Sequence, residues 1–139
     1  MNEQEHMDWD RFEEGVSIIL KGAQHLETPD FIYSIPKGGL VLGVRLCHRI
    51  REKAKLVTNL EDFAEESEDL SGKFLWIVDD ISDTGKTLKN SLSKAIKRFK
   101  RENVKIITLY KKTGTAAVPD ICAFEVPDSR WIVFPWEKK

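Results

Sequence analysis

Cysteine is almost missing from this chain: Cys47 and Cys122 are the two in 139 residues. They stand far apart without metal-ligand spacing, one in an apolar helical pattern and one in an apolar strand pattern. Both are therefore expected to be buried free thiols. Histidine is as scarce. His6, His25 and His48 share no ligand spacing, and His48 beside Cys47 would point to another face of a helix. No apolar run approaches the length that spans a bilayer, and the first residues are acidic and polar, unlike a signal segment. No membrane association is expected, and the cytoplasm is the default compartment. An excess of one charge is missing too. The 22 Lys and Arg against 23 Asp and Glu leave a net charge of −1, which argues against a general nucleic-acid binder. Lys94, Lys97, Arg98, Lys100 and Arg101 are expected on one helix, as a solvated face near its C-terminus. No Gly-x-Gly-x-x-Gly occurs, which removes the dinucleotide fingerprint, and neither a repeat nor a linker is evident. The length fits one domain, residues 1–139, able to bury a core.

What is present concentrates in residues 74–88. Phe74-Leu75-Trp76-Ile77-Val78 is an apolar run that predicts a buried strand. It ends in two adjacent carboxylates, Asp79 and Asp80. A short loop rich in Asp, Ser, Thr and Gly follows, and then a helix begins. Open α/β sheets place their ligands at the C-terminal ends of strands. Hydroxyls and backbone N–H groups at a helix start suit a phosphate, so the order acidic pair, loop, helix suits a sugar phosphate. Gly85-Lys86-Thr87 ends like an ATP-binding P-loop, but that motif needs a glycine five residues before Gly85, where Asp80 stands. A ligand-free turn capped by Asp83 or Thr84 would leave Asp79 and Asp80 without a reason.

A second loop has the same placement. Tyr33-Ser34-Ile35-Pro36-Lys37-Gly38-Gly39 joins a strand over residues 31–35 to a helix over residues 40–51. Gly38 and Gly39 allow close backbone approach to an anion, and Lys37 adds a positive charge. Elsewhere, helical spacing runs from Asp8, a candidate cap, to about Leu26, with Trp9, Phe12, Val16, Ile19 and Ala23 on one face. Strands are expected over residues 55–58, 104–110 and 121–126, and a helix over residues 84–101. Residues 59–72 are polar and acidic, with Glu61, Asp62, Glu65, Glu66, Glu68 and Asp69, and predict a mobile loop. Strands alternating with helices imply an α/β fold, a mostly parallel central sheet flanked by helices.

The string from Phe74 to Thr87 resembles the 5-phosphoribosyl-1-pyrophosphate (PRPP) motif of the type I phosphoribosyltransferases: apolar strand, two acidic residues, two variable residues, then Asp-Thr-Gly-x-Thr. The chain as a whole is similar to the short bacterial xanthine/guanine phosphoribosyltransferases. The shared marks are Trp9-Asp10, the loop before the second helix, the segment Thr108-Leu109-Tyr110-Lys111-Lys112, the pair Trp131-Ile132, and Pro135-Trp136. Their mobile loop carries a Ser-Tyr signature that residues 59–72 lack.

This resemblance implies a fold with a short C-terminal hood over the base, and transfer of phosphoribose from PRPP to a 6-oxopurine in purine salvage. Mg²⁺ would arrive bound to PRPP. Asp79 and Asp80 would hold the ribose hydroxyls, directly or through metal-bound water. Residues 83–87, that is Asp83, Thr84, Gly85, Lys86 and Thr87, would grip the 5′-phosphate. Lys37, Gly38 and Gly39 would take the pyrophosphate, with a cis Pro36–Lys37 peptide. Asp83 would serve as the catalytic group at the imidazole side of the base, and Lys112 would donate to the exocyclic oxygen. Trp131 and Ile132 would roof the base, an indole face suiting a flat purine. Phe134 and Trp136 are expected to dock on the core. Family members form homodimers or homotetramers. The alternatives are a phosphoribosyltransferase for a pyrimidine or another base, and a non-catalytic PRPP- or nucleotide-binding regulator.

Overall fold

A computed structural model describes residues 3–50, 54–64 and 69–137. The central strand β4 (Leu75–Ser82) explains the rest. Its first four residues are buried, and they alternate between two apolar layers. Trp76 and Val78 face one cluster, while Leu75 and Ile77 face the other. A strand apolar on both faces is stable only with helices on both sides, the condition of a parallel sheet.

The sheet has five parallel strands in the order β3-β2-β4-β5-β6, with β2 at Phe31–Ser34, β3 at Lys55–Val57, β5 at Val104–Lys112 and β6 at Ile121–Val126. Helix α1 (Trp9–Gly22) packs on β5 and β6, and α2 (Gly39–Arg49) packs on β2 and β4. Their apolar faces, including Phe12, Val16, Ile19, Leu42 and Leu46, close one layer. On the other face, α4 (Lys86–Ala95) buries Leu88 and Ala95. The Asp8 side chain accepts from the Arg11 N–H at 2.7 Å and caps α1, as expected. The chain turns left from β2 to β3 and returns past β2 to β4, so the strand order reverses between β2 and β4. Ligands in open α/β sheets lie outside the strand C-termini at such a reversal.

Three sequence expectations need correction. Residues 59–72 are not simply a mobile loop. Within them α3 (Glu61–Ala64) forms, and Phe63 is buried at the N-terminal end of the sheet. There it meets Phe31 at 5.1 Å and Phe99 at 5.2 Å, both edge-on. Leu70 is buried as well. Apolar side chains in an otherwise acidic stretch decided this. Glu65, Glu66 and Glu68 lie outside the described residues, as does residue 51 at the expected end of α2. Second, α4 stops at Ala95, so Lys97, Arg98, Lys100 and Arg101 stand on the turns that follow and not on one helical face. Third, both cysteines are half-buried. Sequence reading assigned no element to the polar residues Glu3–His6, which form a strand, β1, paired in parallel with β7 (Arg130–Val133). Together β1 and β7 make the two-stranded hood. Behind it Phe134 stacks on Trp136 at 4.8 Å, and Trp136 meets Phe12 at 5.7 Å, so both tail aromatics dock as expected. Among the described residues no helix is long and apolar enough to cross a membrane.

Candidate active site

The loops that follow β2 and β4 meet at the strand reversal. Alternation along β4 sends the two carboxylates to opposite faces. Asp79 continues the row of Leu75 and Ile77 and lines a small cleft with Thr84, Gly85 and Thr87. Asp80 continues the row of Trp76 and Val78 and lies against Gly38. A Cβ built on Gly38 would stand 2.2 Å from Asp80 Oδ2, and one on Gly39 would stand 2.4 Å from the Val78 carbonyl oxygen. The double glycine therefore lets the β2 loop rest directly on the end of β4. The Pro36–Lys37 peptide is cis, as the resemblance implies. Lys37 is exposed beside it.

Burial first, and then the neighbouring Asp80 charge, push the Asp79 carboxyl up to about 8. Burial also raises Asp80. The Asp80 N–H donates to Asp79 Oδ1 at 2.8 Å. Such a pair is poised to ionise when hydroxyl donors or a cation arrive. Among the described residues no cluster of three metal-ligating side chains exists. Two carboxylates without further protein ligands suit a Mg²⁺ whose remaining shell is substrate oxygen and water.

The phosphate loop owes its shape to a support that sequence reading did not find. Ser82 Oγ donates to the Ala117 carbonyl at 2.6 Å and meets Thr115 Oγ1 at 2.8 Å. The Ala116 N–H donates to the Thr84 carbonyl at 3.1 Å. Gly85 turns with φ +89°, and a Cβ there would meet Ala117 N at 2.4 Å. Glycine is required on both counts. No side chain caps α4, and only the Lys86 N–H reaches a local hydroxyl, Thr84 Oγ1 at 3.3 Å. The remaining N–H groups of this first turn are of the kind that suits an anion. Lys86 and Thr87 are exposed at the turn.

Across the crevice lies a second cleft, of about 170 Å³, lined by Asp80, Asp83, Lys112, Trp131, Ile132 and Glu137, among others. Lys112 ends β5 with its side chain only 10% exposed, and its Nζ sits 3.4 Å from Asp83 Oδ1. Trp131 is 51% exposed at the cleft, much as Trp9 is at the groove between α1 and α2, whereas Ile132 is buried. Glu137, near the end of the described chain, accepts from the Phe134 N–H at 2.9 Å and adds negative charge near Asp80. No local pattern singled out Glu137, Ser82 or Thr115: Ser82 finds Thr115 and Ala117 more than thirty residues away, and Glu137 comes beside Asp80 only in the folded chain. A larger apolar groove, about 410 Å³, lies between α1 and α2, where Glu13 and Arg45 pair with each other at 2.8 Å. It holds none of the expected site residues.

Every expected site residue thus lies at the C-terminal end of the sheet or on the hood that flanks it. A phosphate loop, an acidic pair, a cis-peptide glycine loop and a cleft with an exposed indole share one parallel sheet. That set defines the type I phosphoribosyltransferase class. Residues 8–138 match the family described as phosphoribosyl transferase domain, and the chain belongs to that family.

Its relatives carry purine names. The hypoxanthine-guanine phosphoribosyltransferase of Cricetulus griseus is 44% identical over 62 residues, and that of Homo sapiens is 40% identical over 62 residues. The matched stretch is 42% of this chain but spans only 28% of the length of those relatives. Among solved structures, the purine phosphoribosyltransferase of Pyrococcus horikoshii superposes with a TM-score of 0.80 at 29% identity, covering 99% of this chain and 95% of that one. The Helicobacter pylori xanthine-guanine-hypoxanthine phosphoribosyltransferase superposes with a TM-score of 0.75 at 19% identity, covering 96% and 93%, and shares the fold.

Proposed function

We propose that this protein transfers the 5-phosphoribosyl group of PRPP to a 6-oxopurine, giving the nucleoside 5′-monophosphate and pyrophosphate, in purine salvage. One observation carries this reading. The Lys112–Asp83 pair spans from the base cleft to the phosphate loop, under an exposed indole.

The roles follow from position. Backbone N–H groups at the start of α4, with the Thr84 and Thr87 hydroxyls, hold the 5′-phosphate. Asp79 and Asp80 accept from the ribose 2′- and 3′-hydroxyls, which orients C1′. Lys37 and the backbone at Gly38 and Gly39 take the pyrophosphate. Mg²⁺, when bound with PRPP near Asp79 and Asp80, would offset negative charge on the departing group. Trp131 stacks on the purine and Ile132 closes its edge. Lys112 donates to the exocyclic 6-oxygen. Adenine has an amino group there, which cannot accept, so the site prefers oxopurines.

The reaction breaks the C1′–O bond to pyrophosphate and forms the bond from C1′ to the purine N9. The base loses its imidazole proton. Asp83, partly exposed and beside Lys112, accepts or orients that proton. When the base arrives, Lys112 divides its donors between Asp83 and the oxopurine, so base binding and proton acceptance are linked through one ammonium.

Pyrophosphate release from PRPP with Mg²⁺ tests the reading, with xanthine, guanine, hypoxanthine, adenine, uracil and orotate offered separately. Turnover confined to the 6-oxopurines is expected. Turnover with a pyrimidine alone would keep the phosphate roles and overturn those of Lys112 and Trp131. PRPP binding without turnover on any base would make the protein a non-catalytic binder.

A further inference from the structure

A cluster of linked side chains lies at the far side of the cleft's roof. Tyr110 is fully buried, two residues before Lys112 on β5. Its hydroxyl donates to Glu5 Oε2 at 2.9 Å. The other oxygen of the same carboxylate accepts from Arg130 Nη1 at 3.2 Å, and Arg130 Nη2 also reaches Glu3 at 3.0 Å. Glu5 pairs in register with Ile132, and Arg130 immediately precedes Trp131. The Tyr110 ring meets Phe134, a further residue of the cleft, edge-on at 5.8 Å. One carboxylate from β1 thus joins the strand that carries Lys112 to the strand that carries Trp131 and Ile132.

Physical chemistry makes this join directional. A buried phenol needs an acceptor, and Glu5 supplies one. Burial and the nearby carboxylate hold the Tyr110 hydroxyl well above its usual range, so it stays a donor. The Arg130 guanidinium offers planar donors and gives the hood an orientation as well as an attachment. None of the three side chains lines the base cleft.

We propose that Glu5, held between Tyr110 and Arg130, is a positioning residue for the base, setting the height of Trp131 and Ile132 above Lys112. This rests on the purine-transfer reading. It assigns the first strand, whose polar sequence EQEH carries no apolar stripe, a part in substrate recognition.

The test is steady-state kinetics on Glu5→Ala, Tyr110→Phe and the double variant, each with base and PRPP varied separately. Glu5→Gln serves as the milder substitution, because it keeps an acceptor for Tyr110 and loses the ion pair. Each single variant should raise the base KM about fivefold, the factor of one ordinary hydrogen bond, with the PRPP KM within about twofold. The double variant should match the worse single one, since both break the same contact. A base KM that stays put, or one that rises together with the PRPP KM, would reduce the cluster to a structural staple and overturn the inference. If the unaltered protein transfers to no 6-oxopurine, the functional reading falls and this inference falls with it. Transfer by the unaltered protein with a fixed base KM in the variants would remove the inference alone.

Discussion

The phosphate wall and the base wall of the crevice are built in opposite ways. The phosphate wall is nearly continuous chain, with Asp79, Asp80, Asp83, Thr84 and Thr87 falling within one strand end, one loop and one helix turn. Its glycines serve close backbone approach. The base wall is gathered from β5, from β7 and from the residues beyond it, and is buttressed by β1. Side chains do the work there, held by contacts between residues far apart in sequence. A wall made of backbone suits a phosphate common to all PRPP chemistry. A wall made of side chains on separate strands can be altered to choose a base without disturbing the phosphate.

The largest expected effect comes at the joint between the walls. Asp83→Asn should cut turnover by about 100-fold while PRPP affinity stays nearly unchanged, because a proton acceptor typically contributes that much. The loss of its ion pair also leaves Lys112 without that carboxylate. Equal turnover in the variant would sink the proton role and separate the two walls completely.

Gly39→Ala attacks the backbone wall. The new methyl would press on the Val78 carbonyl oxygen, so urea unfolding should show a loss of about 1–3 kcal/mol, the usual range for overpacking. PRPP binding should weaken alongside. Unchanged stability would mean that the β2 loop can move off β4 freely.

Trp131→Ala attacks the other wall. Stacking of a base on an aromatic ring is worth about 1–3 kcal/mol, so the apparent KM for the base should rise about tenfold with PRPP nearly unaffected. A PRPP effect of similar size would erase the division between the walls.

The smallest effect is on pH. Asp79 keeps its proton up to about 8 in the folded protein, against 3.8 for the free side chain. The folded state therefore binds the extra proton between these values, and stability falls as pH rises through that window. Asp79→Asn, neutral throughout, should flatten the profile and raise the melting temperature of the ligand-free protein by about 3 °C or more at pH 8. Parallel profiles for the two proteins would show that Asp79 is already ionised at neutral pH.

The two walls were also unequally legible. Residues 74–88 announced strand, acidic pair, loop and helix because all of them lie within one short stretch. The loop at Lys37, Gly38 and Gly39 was visible for the same reason. Trp131, Ile132 and Lys112 were reached through family resemblance, since nothing in their local pattern distinguishes a cleft residue from a core residue. Phe63 illustrates the limit. It sits in a run of acids that predicts a solvated loop, and its burial depends on Phe31 and Phe99, which lie far along the chain.

Local spacing was enough for the parallel α/β architecture, the strand bearing Asp79 and Asp80, and the turn at Gly85, because propensity and hydrogen bonding over a few residues decide each of them. Chain folding was needed to put Lys112 beside Asp83, to seat Ser82 on Ala117, and to recruit Glu3–His6 into the hood. Those pairings join segments whose attraction has no signature in either alone, since a carboxylate or a hydroxyl finds its partner only after the sheet has brought the strands together.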